Sequence, residues 1–429
     1  MEADQQDPDK TVDCASVYPG LPGCLQDESL VDGRLAFVDE RFPFDGRPTI
    51  VGLGQGRVET LGEQPSSLRG WSPSGAYLLT SHVYRDDGER MASFEALGAC
   101  KRPFWAPPGA FPAPNDWLIC QTENGRLDAR TLPEGEVRLL LPSGTLTPDT
   151  PDTILLSGDG LLAWTPGLDA LAEARSWVQE LYVRPVDSGE DPTVLHLSDD
   201  IRTTYYQLVD WVPGTRLILA GRGMLSASLW VDGISLVTVD ADTGEIGDLG
   251  AVMLLTPEAY AWHPRRPGLL ALAAGGGRFI NTNKRLTLLD VTHGDHGDPT
   301  YLSGEEQVAF APAWSPDGTC LAYAGAASAG VIGDGETMEQ TLQGRAIYIV
   351  NPETRERHPL TEPGHAIDGW PRWSADGQHL LYTRQQKGHT DVRVVAVDGS
   401  SDELLLTGLA DPPCFYGGCG WDRMLAYSP

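Results

Sequence analysis

The sequence holds no run of 18 apolar residues, so none of its segments reads as a membrane-spanning helix. Lysine is nearly missing, at Lys10, Lys101, Lys284 and Lys387 alone, and Lys plus Arg number 31 against 60 Asp plus Glu. The resulting net charge of −29 repels phosphate backbones and anionic headgroups, which argues against nucleic acid or a membrane surface as partner. Four catalytic or phosphate-binding signatures are also lacking: G-x-S-x-G, a Walker A loop, H-E-x-x-H, and G-x-G-x-x-G opening a helix. The glycine triplet 275–277 lies between two predicted strands and reads as loop. No catalytic residue is assigned.

Cysteine is sparse, and the C-x2-C spacing of structural zinc sites does not occur. Six of the seven cysteines form local pairs: Cys14 with Cys24, Cys100 with Cys120, and Cys414 with Cys419. Such pairs read as disulfide staples of an oxidising compartment, each adding about 2–3 kcal/mol by loop-closure entropy. Cys320 stands alone in the apolar run Cys320-Leu-Ala-Tyr-Ala324. The first ten residues are polar and lack the apolar centre of a secretion leader. The expectation is an extracytoplasmic protein, whether periplasmic, secreted or lipid-anchored, whose leader is absent from this chain.

What the sequence has in plenty is turn formers, with 49 Gly and 33 Pro, and a repeat. Its clearest copies are Trp314-Ser-Pro-Asp-Gly-Thr-Cys-Leu-Ala-Tyr323, Trp373-Ser-Ala-Asp-Gly-Gln-His-Leu-Leu-Tyr382 and Trp71-Ser-Pro-Ser-Gly-Ala-Tyr-Leu-Leu-Thr80. Looser copies start at Trp211 and Trp262. Degenerate ones lie at Trp105-Ala-Pro-Pro-Gly109 and at Leu146-Thr-Pro-Asp149 before Thr153-Ile-Leu-Leu156, and a truncated one starts at Trp421. In each copy the Trp ends a strand and supplies an apolar plate between sheets. Pro and Gly then turn the chain, and an apolar strand follows. A third strand, as in Ala346-Ile-Tyr-Ile-Val350, and a fourth, as in Glu403-Leu-Leu-Leu-Thr407, complete a four-stranded unit of about 50 residues.

The order W-S-P-D-G, L-A-Y, I-Y-I-V-N resembles the repeat of TolB-like and prolyl-oligopeptidase-type propellers, and it extends from about Gly33 to the end. The resemblance implies an all-β fold: a single β-propeller over 33–429, behind an N-terminal extension over 1–32 that holds the Cys14–Cys24 staple. Eight four-stranded antiparallel blades are predicted, or seven if one degenerate copy is not a full blade. The stretches Gly33–Val38, Thr49–Leu53 and Val58–Leu61 lack a Trp strand before them, so the C-terminal strand is expected to complete their blade as a velcro.

Function is expected to lie in loops. The strand 2–3 connections Gly158–Gln179, Gly221–Gly233, Ala274–Lys284 and Gly325–Gly344 are long and fall on one face, and loops on a rigid scaffold are where binding resides. Arg278, Asn281, Asn283 and Lys284 are the candidates to face a ligand there, and the irregular aromatics Tyr205, Tyr206, Trp370, Phe42 and Phe44 to line a pocket mouth. His293, Asp295 and His296 carry divalent-metal ligand chemistry within a stretch that equally suits a polar hairpin. No cofactor is expected beyond such a cation. TolB-like propellers serve as interaction platforms, which implies a monomeric binding module for a protein or an extracellular ligand. The alternative is a carbohydrate-active lyase or hydrolase with its site at the channel mouth. It requires His196, His263, His365 and His379 to converge.

Overall fold

The computed structural model describes residues 24–25, 31–38, 47–53, 57–62, 68–93, 100–133, 135–146, 153–167, 171, 177–224, 233–292, 299–328, 342–386, 388–411 and 419–429. These residues are almost wholly β, arranged as four-stranded antiparallel meanders whose strands pair in chain order. Each meander is named here by its repeat residue. The Trp314 sheet runs Gln307–Trp314, Leu321–Ala327, Ala346–Val350 and Arg357–Pro359, and the Trp373 sheet Ile367–Trp373, His379–Gln386, His389–Ala396 and Asp402–Leu409. The Trp71, Trp105, Trp211 and Trp262 sheets follow the same plan. The last two are joined into one continuous sheet where Met253 pairs with Ala274.

Two sheets depart from the Trp-led pattern. In the N-terminal sheet, Gly33–Val38, Pro48–Leu53 and Arg57–Thr60 are preceded in space by the C-terminal strand Leu425–Ser428, with Leu35 opposite Tyr427. The other is led by Leu156. Its first strand is Thr153–Leu156, its second Leu161–Thr165, its third Gln179–Pro185 and its fourth Thr193–Ser198. This corrects the reading of Thr153–Leu156 as a second strand. The repeat turn of this unit is Ser157-Gly-Asp-Gly160, so the expected loop 158–179 contains that turn and a whole strand.

The turn chemistry explains why these four-residue segments recur. In Ser315-Pro-Asp-Gly318, Ser315 Oγ donates to Asp317 and accepts from the Cys320 N–H at 3.0 Å, while the Gly318 N–H closes onto the Ser315 carbonyl. Ser374 does the same with Asp376 and His379, and Ser157 with Asp159 and Leu161. Gly318, Gly377 and Gly160 have φ of 77°, 68° and 80°, where a side chain is strained. The sequence S-x-D-G therefore specifies the turn whether or not a Trp precedes it.

Apolar residues are buried between consecutive sheets rather than in one central mass. Leu269, Ala271 and Leu286 pack on Trp314, Leu321 and Tyr323. Ala322, Ile347 and Ile349 pack on Trp373, Leu380 and Tyr382. The series includes its two ends, because Leu35, Phe37 and Val51 of the N-terminal sheet share a core with Leu381, Val392 and Leu406 of the Trp373 sheet. Second strands such as Leu161–Thr165 are buried along their whole length, whereas the fourth strand Arg357–Pro359 is exposed.

A hydrogen bond accompanies the packing. The indole N–H of Trp373 donates to the Ala313 carbonyl at 2.9 Å, that of Trp314 to Ala261 at 3.1 Å, and that of Trp105 to Gly70 at 3.2 Å. Each acceptor immediately precedes the repeat Trp of the preceding sheet. Trp71 donates to Ala426, the residue before Tyr427 in the C-terminal strand. Trp262 uses the Asp210 carboxylate instead, at 2.9 Å. Trp211 faces the Leu156 sheet, and its buried N–H has no partner. There the Gln179 carboxamide grips the Tyr206 backbone on both sides, at 2.7 and 2.9 Å.

Cys100 and Cys120 form a disulfide with Cα atoms 5.4 Å apart. Cys419 is disulfide-bonded too, and Cys14 and Cys414 lie outside the described residues. Cys24–Leu25 pairs with Leu406–Thr407 at the outer edge of the Trp373 sheet.

The Trp373→Phe change removes an indole N–H that has an acceptor, and Trp211→Phe removes one that has none. Urea unfolding should show the first change costing about 1 kcal/mol more than the second. Equal losses would remove the indole hydrogen bond from the account.

Candidate functional site on the strand 2–3 loop face

Antiparallel register places the start of each first strand beside the end of the second. Gln307 lies opposite Ala327 and Ile367 opposite Gln385. The strand 2–3 loops and the segments entering each first strand thus share one face. Two neighbourhoods on it are built from polar side chains.

The first is the loop 275–284, between Leu269–Ala274 and Arg285–Asp290 of the Trp262 sheet. Gly275 has φ of 146°, and a Cβ there would meet the Asn283 carbonyl, so the loop closes tightly on itself. Lys284 is 0% exposed, and its ammonium donates to the carbonyls of Gly276, Gly277 and Thr282 at 2.8, 3.0 and 3.3 Å. Burial pushes its pKa down to about 8. The Lys284 ammonium is thus spent on shaping the loop, not on facing a ligand. Asn281 is also fully buried, while Arg278 and Asn283 are exposed.

Beside the loop, a cleft of about 260 Å³ is bordered by Asn283, Lys284, Arg285, Glu305, Gln307 and Ser328. The Arg285 guanidinium stacks 3.8 Å from the Tyr301 ring centroid, donates to the Ser303 carbonyl at 3.3 Å and lies 3.5 Å from Glu305. The cleft can therefore offer an oriented cation, amides and a hydroxyl to a polar ligand.

The second neighbourhood joins residues from distant parts of the chain. Glu258, in the 3-10 turn Pro257–Ala259, accepts the Trp421 N–H at 2.9 Å. Burial, and then Asp422, push its carboxyl up to about 7, against the opposing pull of Arg372 and Arg345. Asp422 accepts from Trp370 Nε1 at 2.9 Å and from Arg372 at 2.6 Å. Arg345, lowered by burial to about 10, donates to the Asp368 carbonyl at 3.0 Å. The cavity among Glu258, Arg345, Trp370 and Trp421 is only about 10 Å³, room for roughly one water. A raised carboxyl with no room for substrate cannot serve as a general acid here.

The other candidates are placed apart. Tyr205 and Tyr206 are 5% and 7% exposed and pack between sheets, so they line no pocket mouth, and burial pushes the Tyr205 phenol up to about 12. Trp370 is buried at the small cavity. Phe42, Phe44, His293, Asp295 and His296 lie outside the described residues. His196 pairs with Asp199, and His263 with the Gly318 carbonyl. Among the described residues no three His, Cys, Asp or Glu side chains assemble as a metal-binding group. No helix is long and apolar enough to cross a membrane among those residues.

Replacing Lys284 by Met leaves three half-buried loop carbonyls without their ammonium donor. The expected cost is about 2–3 kcal/mol in unfolding free energy, with faster cleavage inside 275–284 in limited proteolysis. Unchanged proteolysis would mean that the ammonium does not hold the loop.

No family model matches the chain. Over 94 residues, 22% of the chain, it is 37% identical to the Tol-Pal system protein TolB of Alcanivorax borkumensis, and the match spans 18% of that relative. Among solved structures, the dihydro-heme d1 dehydrogenase NirN superposes with a TM-score of 0.55 at 13% identity, over 94% of this chain and 78% of that one. The dipeptidyl peptidase 4 of Porphyromonas gingivalis superposes with a TM-score of 0.54 at 12% identity, over 94% and 62%. At such identities the likeness speaks for fold alone. Repeat, sheet plan and comparisons agree on a β-propeller fold, and the matched 94 residues are similar to TolB.

Proposed function

We propose that the chain forms an eight-bladed ring over 33–429, closed by the strand Leu425–Ser428, and works outside the cytoplasm as a binding module for a protein or an extracellular ligand. Closure draws support from the C-terminal strand leading the N-terminal sheet and from the core those first and last sheets share. The Cys100–Cys120 disulfide supports the oxidising compartment.

The observation that carries the binding reading is the internal scaffold of the loop 275–284. A fully buried ammonium is committed to three carbonyls of a surface loop, which fixes its shape and presents Arg278 and Asn283 to solvent. A loop fixed before contact loses little conformational freedom on binding, and so retains affinity. The neighbouring cleft, with Arg285 held flat on Tyr301, extends the same surface.

The test is capture from envelope extract at physiological salt by the immobilised protein. Arg278→Glu combined with Asn283→Ala should reduce capture of a specific partner by about tenfold. Glu245→Ala, in the strand 3–4 turn at the opposite end of its sheet, should leave capture unchanged. Equal capture by all three proteins, or no specific partner, overturns the reading.

A further inference from the structure

Trp421 precedes the strand that joins the N-terminal sheet, yet its backbone N–H is held by a residue of the Trp262 sheet, 163 positions away. The Trp314 and Trp373 sheets both lie between these two points in chain order. The segment 419–424 therefore reaches past two sheets, and Cys419 and Trp421 lie beside Phe310, Ala311, Gly369 and Trp370 of their first strands. Trp421 is 4% exposed and packs with Trp370, Leu381 and Leu409. Asp422 ties the same segment to Trp370 and Arg372. Besides the apolar contact of the Trp421 ring, the far end of this reach depends on the one Glu258 hydrogen bond.

We propose that Glu258 is a proton-operated latch: protonated, it holds the segment 419–422 down across the first strands of the Trp314 and Trp373 sheets, and deprotonated, it lets that segment lift. Both ends of the segment stay attached, at the Cys419 disulfide and at Arg423 and Met424, whose carbonyls accept from Leu68 and Val38, so release is a local lift that leaves the strand Leu425–Ser428 paired.

The charges around the latch set its direction. Asp422 faces Glu258 from the segment itself, Arg372 from the strand Ile367–Trp373, and Arg345 from the residue before Ala346–Val350. The strand Gln307–Trp314 packs on the same turn and brings no ionisable side chain. Burial and Asp422 outweigh the two arginines and the Trp421 N–H, which by itself favours the ionised carboxylate, and hold the Glu258 carboxyl at about 7 rather than 4.5. Lifting the segment returns that carboxyl to water and to its ordinary value. The closed form thus binds the proton more tightly, and its advantage, complete below pH 4.5, is lost as pH rises through 7. The full difference corresponds to a change of up to about 300-fold in the opening equilibrium.

Hydrogen exchange of a peptide covering 419–428, corrected for the intrinsic pH dependence of exchange, reads this equilibrium. Protection should fall between pH 4.5 and 8 by up to about 300-fold in the wild type. It should stay flat in Glu258→Gln, which keeps the acceptor without the titration. Asp422→Asn should move the wild-type midpoint to lower pH. A flat wild-type profile, or the same slope in Glu258→Gln, overturns the proposal. Should Glu258→Gln not fold, the wild type alone decides against a control peptide covering 234–240. A fall confined to 419–428 supports the latch, and an equal fall in both peptides overturns it.

Discussion

A large indole lodged between two sheets must both cover apolar surface and find an acceptor for its N–H, and nearly every other feature of this chain is arranged around meeting both demands. Where the acceptor is the carbonyl before the neighbouring Trp, each sheet positions the next by a bond at a fixed point of the repeat. The bond is worth only about 1 kcal/mol net, against a larger gain from ring burial. Its value is directional, because it sets how far one sheet slides along its neighbour. The same relation running from Trp71 to Ala426 ties the start of the chain to its end.

Two exceptions show how the constraint is met when the sequence drifts. Asp210 substitutes a carboxylate for the carbonyl, at the cost of burying it, and its pKa is raised by burial. At the Leu156 sheet the acceptor for the Trp211 N–H is lost, and a carboxamide clamp from Gln179 replaces that bond with two to the Tyr206 backbone. These substitutions preserve the seam without preserving the motif.

That is also why the fold was more legible in the sequence than the site. The Trp and S-P-D-G copies fixed strand order and turn positions because each is a local requirement of the backbone. In the Leu156 unit the Trp pattern is off by one strand, because the turn Ser157-Gly-Asp-Gly160 carries the signal with no Trp before it. Lys284 looked like a ligand contact because a charge in a Gly- and Asn-rich loop normally points to water; only the path of the loop reveals three inward carbonyls. Glu258, Arg345 and Asp422 had no signal at all. They come from separate sheets and meet only where successive sheets are brought together, which no spacing along the chain encodes.

A backbone junction at Met253 and Ala274 merges the Trp211 and Trp262 sheets into one eight-stranded surface. Main-chain bonds continue the splice from Ala309 to the Lys284 carbonyl and from Asp368 to the Arg345 carbonyl, so the four sheets from Trp211 to Trp373 cannot rotate independently and behave as a stiff arc. Distortion imposed on the assembly then concentrates at the arc's margins. On one side stands the seam where Trp211 has no acceptor, and on the other the apolar seam between the Trp373 and N-terminal sheets.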